Sequence, residues 1–489
     1  MTSRRVVPLL VVLVAGGGLL LAAACSRAPA VVLDGISAQV VAALEPGIAE
    51  PAPDLVITSI RDGAVVPADL AFPLVEWRSE READAFLLRL RSGRTALDVV
   101  LRGKSWRPRE GEFERFLERG EVVVTVYRLA AGHTDRSGRV RLAVARRRLG
   151  QRIAFRVVQP LFNPALPNEL VVWGPAKRAP ETVLRLEGTC VGCHAYAAGS
   201  VFLNLKRGGE RRLAVVRRTG TSTRVVTRDL GQFSFLAPSP DGDHAVFVNA
   251  PAGDLVLHDT PVEPFDYPYR AGDIFVLDAR TGRSAPLPGA ADPEVVEDMP
   301  SFSPDGSRVV FSRYRFDATQ GVNRVPSMEL AEVPFNGGRG GDAKAVAGAS
   351  GEGTWNYFAR YTPDGKWISF CRGDASRGVY ARLSSDICLV PAGGGEARRL
   401  RLNVEDAMDS WHSWSADSHW LAFSSNREGS GMTALYLAYV DDDGIDYPPV
   451  KLVGLDGMKV NTPQFVPAGL PLDGGADLAA SVRGVFADQ

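Results

Sequence analysis

Along most of the chain, apolar and polar residues alternate in short runs broken by Gly, Pro, Asp and Asn. A period of two rather than 3.6 predicts strands. From Asp54 to Val158 the runs are LVITSI, FPLVEW, AFLLRLR, LDVVL, EVVVTVYRL, VRLAVAR and IAFRVV, divided by turn signals such as Arg61-Asp62-Gly63 and Arg136-Ser137-Gly138. One stretch, GEFERFLE at 111–118, breaks the alternation and predicts a helix or helical turn. Trp77, closing LVEW, falls on the apolar phase and reads as a core aromatic.

A second pattern recurs at longer range. FLAPSPDGDHAVFV (235–248), PSFSPDGSRVVFSR (300–313) and ARYTPDGKWISFCR (359–372) each join an aromatic-containing strand to an alternating strand through a Pro-Asp-Gly turn. HSWSADSHWLAFSS (412–425) keeps the frame with Ala-Asp-Ser at the turn. Each is followed by a further strand, DIFVLDARTG, MELAEVPFNGG, DICLVPAGGG or ALYLAYVDDDG, and the spacing of 53 to 64 residues suits one four-stranded unit per copy. TPQFVPAG (462–469) and CHAYAAGSVFLNL (193–205) are weaker copies at the two ends, and LVVWG (170–174) is placed to lend a strand to the last.

These segments resemble the TolB-like β-propeller repeat, over roughly residues 190–489. The resemblance implies an all-β fold and, with six copies, a six-bladed propeller. It says little about activity, because such folds host many. The expected organisation is a signal peptide at 1–24, a tether at 25–52, a fibronectin- or immunoglobulin-like β-sandwich of about seven strands at 53–160 and the propeller at 161–489.

Composition narrows the function classes. With 56 basic and 57 acidic residues there is no polybasic field, so nucleic acid is not an expected partner. Arg4 and Arg5 precede an apolar run from Val6 to Ala24 that ends in small residues before Cys25, the pattern of an export signal. Its end resembles a bacterial lipoprotein lipobox, with Ala22 where leucine is usual; the resemblance implies lipid on the Cys25 thiol, Ser26 then favouring the outer membrane over a soluble periplasmic form. The expected location is the periplasmic side of the envelope, with the membrane met through the lipid and redox or envelope proteins as partners.

The sharpest chemical signal is CVGCH at 190–194. Two thiols separated by two residues and followed by an imidazole match covalent haem c attachment, with thioethers from Cys190 and Cys193 and His194 as the proximal iron ligand. With 5 cysteines and 6 histidines in 489 residues, chance supplies about 0.0006 such matches. A zinc site would need a second ligand pair, and a redox dithiol a βαβ setting; neither is visible. Cys371 and Cys388 remain, in neighbouring predicted strands, either as a disulfide or as two buried thiols.

Alignment on the aromatic residue of each copy sets His194 level with Pro300, Ala359, His412 and Pro463, so His412 is the candidate distal ligand. Met299, Met408 and Met458 are weaker candidates, and a Met/His pair would raise the potential. Acidic groups such as Glu294, Glu297 and Asp298, or Asp441 to Asp443, lie beside turns and read as solvated loops, with calcium left open there. There is no GxSxG elbow and no other catalytic set, so an enzyme is the lesser expectation. The expected function is an exported monohaem cytochrome passing electrons to docked partners. The alternatives are an envelope scaffold or interaction protein with a structural or sensory haem, and a haem enzyme acting on peroxide or a small molecule.

Overall fold

The chain divides into two units, Met1–Arg148 with Pro448–Val450, and Leu149–Tyr447 with Lys451–Gln489. The structure, a computed structural model, describes residues 31–486 apart from 109–119, 159–167, 251–268, 318, 320–324, 375–383, 471–475 and positions 178, 209, 220–221, 229, 232, 430–431 and 469. The export signal, Cys25 and the helix expected at 111–118 lie outside the described residues. No helix among those described is long and apolar enough to cross a membrane.

In the first unit an eight-stranded sheet accompanies a three-stranded one. Residues 31–52 contribute strands Val31–Val32 and Glu50–Pro51 and the helix Ala38–Ala43, whose Ser37 cap accepts the Val40 amide at 3.4 Å. Three ladders of the large sheet are parallel: Val31–Val32 on Thr95–Leu101, Glu50–Pro51 on His133–Arg136, and Ala64–Pro67 on Val140–Ala145. They correct the immunoglobulin- or fibronectin-like sandwich, which is built from antiparallel sheets. All four residues of Ala64–Pro67 are buried, so that strand has no solvent face toward which to alternate.

A charged knot sits inside this unit. Arg128, with no exposed surface, donates to Asp54 (2.5 and 3.1 Å), to Asp135 (3.0 and 2.7 Å) and to Ser79 Oγ (2.9 Å). Arg81 reaches both carboxylates from the surface side. These guanidinium hydrogen bonds hold the Asp54 carboxyl far below the usual range, against a smaller upward push from burial.

The second unit holds six four-stranded antiparallel sheets among the described residues. The six-bladed propeller, expected as copies of one repeat, is corrected to this set of small sheets: no sheet closes into a barrel, and they do not follow a single plan. One sheet takes Arg152–Val158, Glu169–Trp173 and Glu181–Leu184 from one end of the unit and Lys459–Val466 from the other. IAFRVV, expected in the sandwich, therefore pairs with the C-terminal strand. Another sheet begins at Cys190–Ala197, includes a ten-residue strand Glu210–Thr219 and has no Pro-Asp-Gly turn.

Where the Pro-Asp-Gly turns occur, their chemistry is local. Ser239, Ser303 and Thr362 each donate a hydroxyl proton to the turn aspartate two residues on, at 2.5, 2.5 and 2.6 Å. The glycines Gly242, Gly306 and Gly365 hold φ between 71 and 73°. Ala-Asp-Ser makes the same turn, with Ser415 on Asp417 at 2.5 Å and Ser418 carrying φ 63° in place of glycine.

Candidate functional site

Six strands of the second unit carry a bulge: Cys190–Ala197, Phe233–Pro238, Val296–Phe302, Thr354–Tyr361, Asp409–Trp414 and Lys459–Val466. In each, two consecutive residues fall between paired positions: Gly192-Cys193, Phe235-Leu236, Met299-Pro300, Phe358-Ala359, Trp411-His412 and Thr462-Pro463. All of them except Gly192, joined by His194, Arg360 and Gln464, line one cavity. It holds about 590 Å³ of empty space counting its open mouth. Its interior is narrow, with about 50 Å³ available to water centres, enough for a few waters.

The wall is strained. Phe235, Met299, Phe358, Trp411 and Thr462 hold φ between 49 and 54°, a left-handed conformation that bulky and β-branched side chains rarely adopt. Strain of this kind persists only where the surrounding sheets enforce it. The result is an aromatic shelf, with Phe358 and Trp411 rings 4.6 Å apart and Phe235 edge-on to Phe358 at 5.8 Å.

The bulge also resets the repeat alignment. Val191 and His194 flank it in the motif strand as Tyr357 and Arg360, or Ser410 and Ser413, do in theirs. His194 is thus level with Arg360 and Ser413, and Cys193 with His412. The expected equivalence of His194 and His412 is one residue out, because the motif hairpin turns directly at Ala197–Ser200 and lacks the longer Pro-Asp-Gly connection.

Cys193 and His194 border the cavity, whereas the Cys190 thiol accepts a hydrogen bond from the Asn168 amide at 3.2 Å and is not part of the lining. His194 is 1 % exposed and, among the described residues, neither ring nitrogen has a partner in hydrogen-bond geometry. Burial, aided by the charge of Arg156, pushes its pKa down to about 3, with the Ala154 carbonyl a weak counterweight. Its ring centroid lies 5.6 Å from that of Tyr196.

His412 is held differently. Its Nε2 lies 2.8 Å from Ser369 Oγ, which also receives the Trp414 indole N–H at 2.8 Å, and its Nδ1 lies 3.6 Å from Cys371 Sγ. Burial, followed by the charge of Arg360, pushes it down to about 3. Met299 joins the lining; Met408 and Met458 do not. Cys371 and Cys388 are free thiols. The ladder pairs Cys371 with Ile387 and Phe370 with Cys388, which sets the two thiols on opposite faces and corrects the candidate disulfide. Burial pushes both up to about 12.

Sequence reasoning missed Arg360. Its guanidinium borders the cavity with one long polar contact, Nη1 to Ser301 Oγ at 3.5 Å, and no carboxylate partner among the described residues. Burial lowers its pKa and the neighbouring Cys193 thiol opposes the shift. The signal was visible: FARYTPDG carries a charge where FLAPSPDG and PSFSPDG carry Ala237 and Ser301.

The electron-transfer cytochrome is corrected by this geometry. One thiol of the pair is turned to Asn168, His412 is engaged by Ser369, and among the described residues no three His, Cys, Asp or Glu side chains converge as a metal site. A haem edge presented to a docked partner has no counterpart in a narrow cavity bordered by a sealed imidazole. The cytochrome description goes with it, and haem, iron, metal binding and the lipid on Cys25 gain no support from the fold. The chemistry of the donor set does suit a haem in one respect, because Cys193 and the orphaned, neutral His194 border the same space.

No family model and no curated protein matches the chain. Among solved structures it is similar to TolB from Acinetobacter baumannii, at 15 % identity over 71 % of this chain and 79 % of that one, with a TM-score of 0.45. A TolB-type structure from Agrobacterium tumefaciens matches at 15 % identity over 64 and 88 %, TM-score 0.34, and an oligogalacturonate lyase in complex with manganese at 15 % over 62 and 73 %, TM-score 0.37. Each is a distant, partial likeness.

Proposed function

We propose that this chain is an interaction protein of the bacterial cell envelope whose cavity is a ligand site, and that the CVGCH strand holds haem there in a structural or sensory role. The observation that carries the reading is His194, a fully buried imidazole whose two nitrogens are unpartnered among the described residues, beside a cavity-lining cysteine. A buried polar group left unpaired costs about 1–3 kcal/mol, and such groups in a native fold call for a ligand or a role. Burial keeps the ring neutral, which is the form that binds a metal. When bound, haem would supply an iron whose spin and redox state respond to small ligands. Cys193 is the thiol placed to anchor it, and Cys190 would join after exchanging its contact with Asn168. The arginine-led apolar segment at the N-terminus supports the envelope location.

The test is the full-length chain produced with a haem-ligation apparatus and extracted with acid–acetone. Haem that stays with the protein, and is lost from a Cys190→Ala/Cys193→Ala variant, supports the reading. A colourless wild-type chain overturns it.

A further inference from the structure

Among the described residues, the one lysine or arginine in the cavity wall is Arg360. Its chain neighbour Ala359 is 1 % exposed, the phenylalanine before that 7 %, and the guanidinium itself is set into the cavity wall. Some buried or half-buried arginines of this chain are met by carboxylates, Arg89 by Asp98, Arg128 by Asp54 and Asp135, and Arg427 by Asp409, and others by close neutral oxygens, Arg211 by the Phe233 carbonyl at 2.8 Å and Arg372 by Asn356 and Gly348 at 2.8 Å each. Arg360 has only the Ser301 hydroxyl, at 3.5 Å. Across the cavity it faces Cys193 and the deprotonated imidazole of His412. A half-buried guanidinium without a close partner keeps part of its desolvation penalty unless something anionic arrives. Its planar fork matches a carboxylate through two parallel hydrogen bonds.

The rest of the wall says what carries that carboxylate. Phe235, Phe358 and Trp411 form a continuous aromatic surface beside Arg360, each locked by a left-handed backbone that leaves little freedom to reorient. Met299 adds a polarisable thioether. An apolar wall of mutually tilted aromatic rings next to one weakly paired cation is complementary to an aromatic body with one acid group.

We infer that the open mouth of the cavity takes an aromatic carboxylate and that Arg360 binds its acid group while Phe235, Phe358 and Trp411 receive its ring system. The inference rests on the cavity being a ligand site, as proposed above, but not on iron: a porphyrin acid and an iron-free aromatic acid share the chemistry.

The experiment measures quenching of the full-length apo-protein's tryptophan fluorescence by metal-free protoporphyrin IX, by its dimethyl ester, by haemin and by naphthoate. The free acid is expected to bind roughly ten- to a hundred-fold more tightly than the ester, the worth of one charge-assisted pair. Arg360→Met should bring the acid down to the ester's affinity and leave the ester unchanged, and Arg360→Lys should recover part of the difference. Equal affinity of acid and ester in the wild type, failure of both porphyrin acids and naphthoate to bind, or an Arg360→Met variant that still prefers the acid overturns the inference. If haemin binds no more tightly than metal-free protoporphyrin while both depend on Arg360, the haem reading fails and the carboxylate site stands. Naphthoate showing the same dependence identifies a small acid, not a porphyrin, as sufficient. A circular dichroism spectrum matching wild type separates lost binding from lost folding in each variant.

Discussion

Arg128 is taken out of water completely and Arg360 in part, yet they are opposite solutions to the same problem. Arg128 meets two aspartates and a serine through five hydrogen bonds, so its charge is cancelled inside the first unit. Arg360 borders a cavity with one marginal side-chain contact and no carboxylate partner among the described residues. A paired buried charge belongs to the fold and an unpaired one to whatever enters from outside. The backbone agrees, since five non-glycine residues with positive φ line the cavity while the strands bearing the Arg128 network contain none.

The comparison breaks most readily at Arg128. Arg128→Met leaves Asp54 and Asp135 with only the more exposed Arg81 between them, and removing one partner from a buried ion network costs about 3–5 kcal/mol. The first unfolding transition in urea should move to much lower denaturant, with binding of aromatic acids to the remaining folded unit unchanged. A variant that unfolds like wild type would place Arg128 with ordinary surface arginines. The same network predicts a pH signature. Asp54 is held below its unfolded value, so its contribution is complete above about pH 4 and is lost as pH falls toward the lower, folded value.

Imidazoles give the cavity a different signature, smaller in effect but earlier in pH. His194 and His412 are pushed from the ordinary histidine range down to about 3. A depressed folded value means their neutral burial stabilises the unit fully above about pH 6.5 and progressively less down to pH 3. The second unit should therefore weaken on mild acidification, before the carboxylates of the first unit titrate. Arg360 is the second cause of the His412 shift, after burial. In Arg360→Met the His412 value should rise part of the way back, and the loss of stability between pH 7 and pH 4 should shrink. Denaturant midpoints at the two pH values read this directly; an acid sensitivity that grows in the variant contradicts the placement of the charge.

How much of this was legible beforehand follows from the range of the interactions. The Pro-Asp-Gly turns were readable because Ser303–Asp305 and its counterparts are bonds within one turn. CVGCH was readable as a motif, and its strand as a strand. Its register was not: the alignment on Tyr196 slipped by one because a bulge and a short turn are set by the partner strand Ser200–Arg207, not by the motif. Parallel pairing of Ala64–Pro67 with Val140–Ala145 was hidden for the same reason, since four buried residues look alike on either side of a sheet. The copies pointed to a single repeating plan, but the sheet containing Arg152–Val158 draws on both ends of the unit, a long-range choice that no local pattern encodes. Arg360 was in view and was passed over as one arginine among many, because its meaning comes from the absence of a partner in three dimensions.

The smallest expected effect is the one that decides between the two arginines. At neutral pH, Arg360→Met removes a charge that the fold does not pair, together with a 3.5 Å contact to Ser301 that lies at the limit of a hydrogen bond. Loss of that contact and of some stem packing is unfavourable, and relief of an unmet desolvation penalty is favourable. Methionine keeps most of the apolar stem, so the two contributions should nearly cancel or leave the variant slightly more stable. The second urea transition is expected to stay within about 0.5 kcal/mol of wild type or move upward. A fall of about 2 kcal/mol or more, the size seen when a structural ion pair is cut, would show that Arg360 is held by the fold as Arg128 is. Its place beside the aromatic shelf would then be packing, not a seat for a ligand's acid.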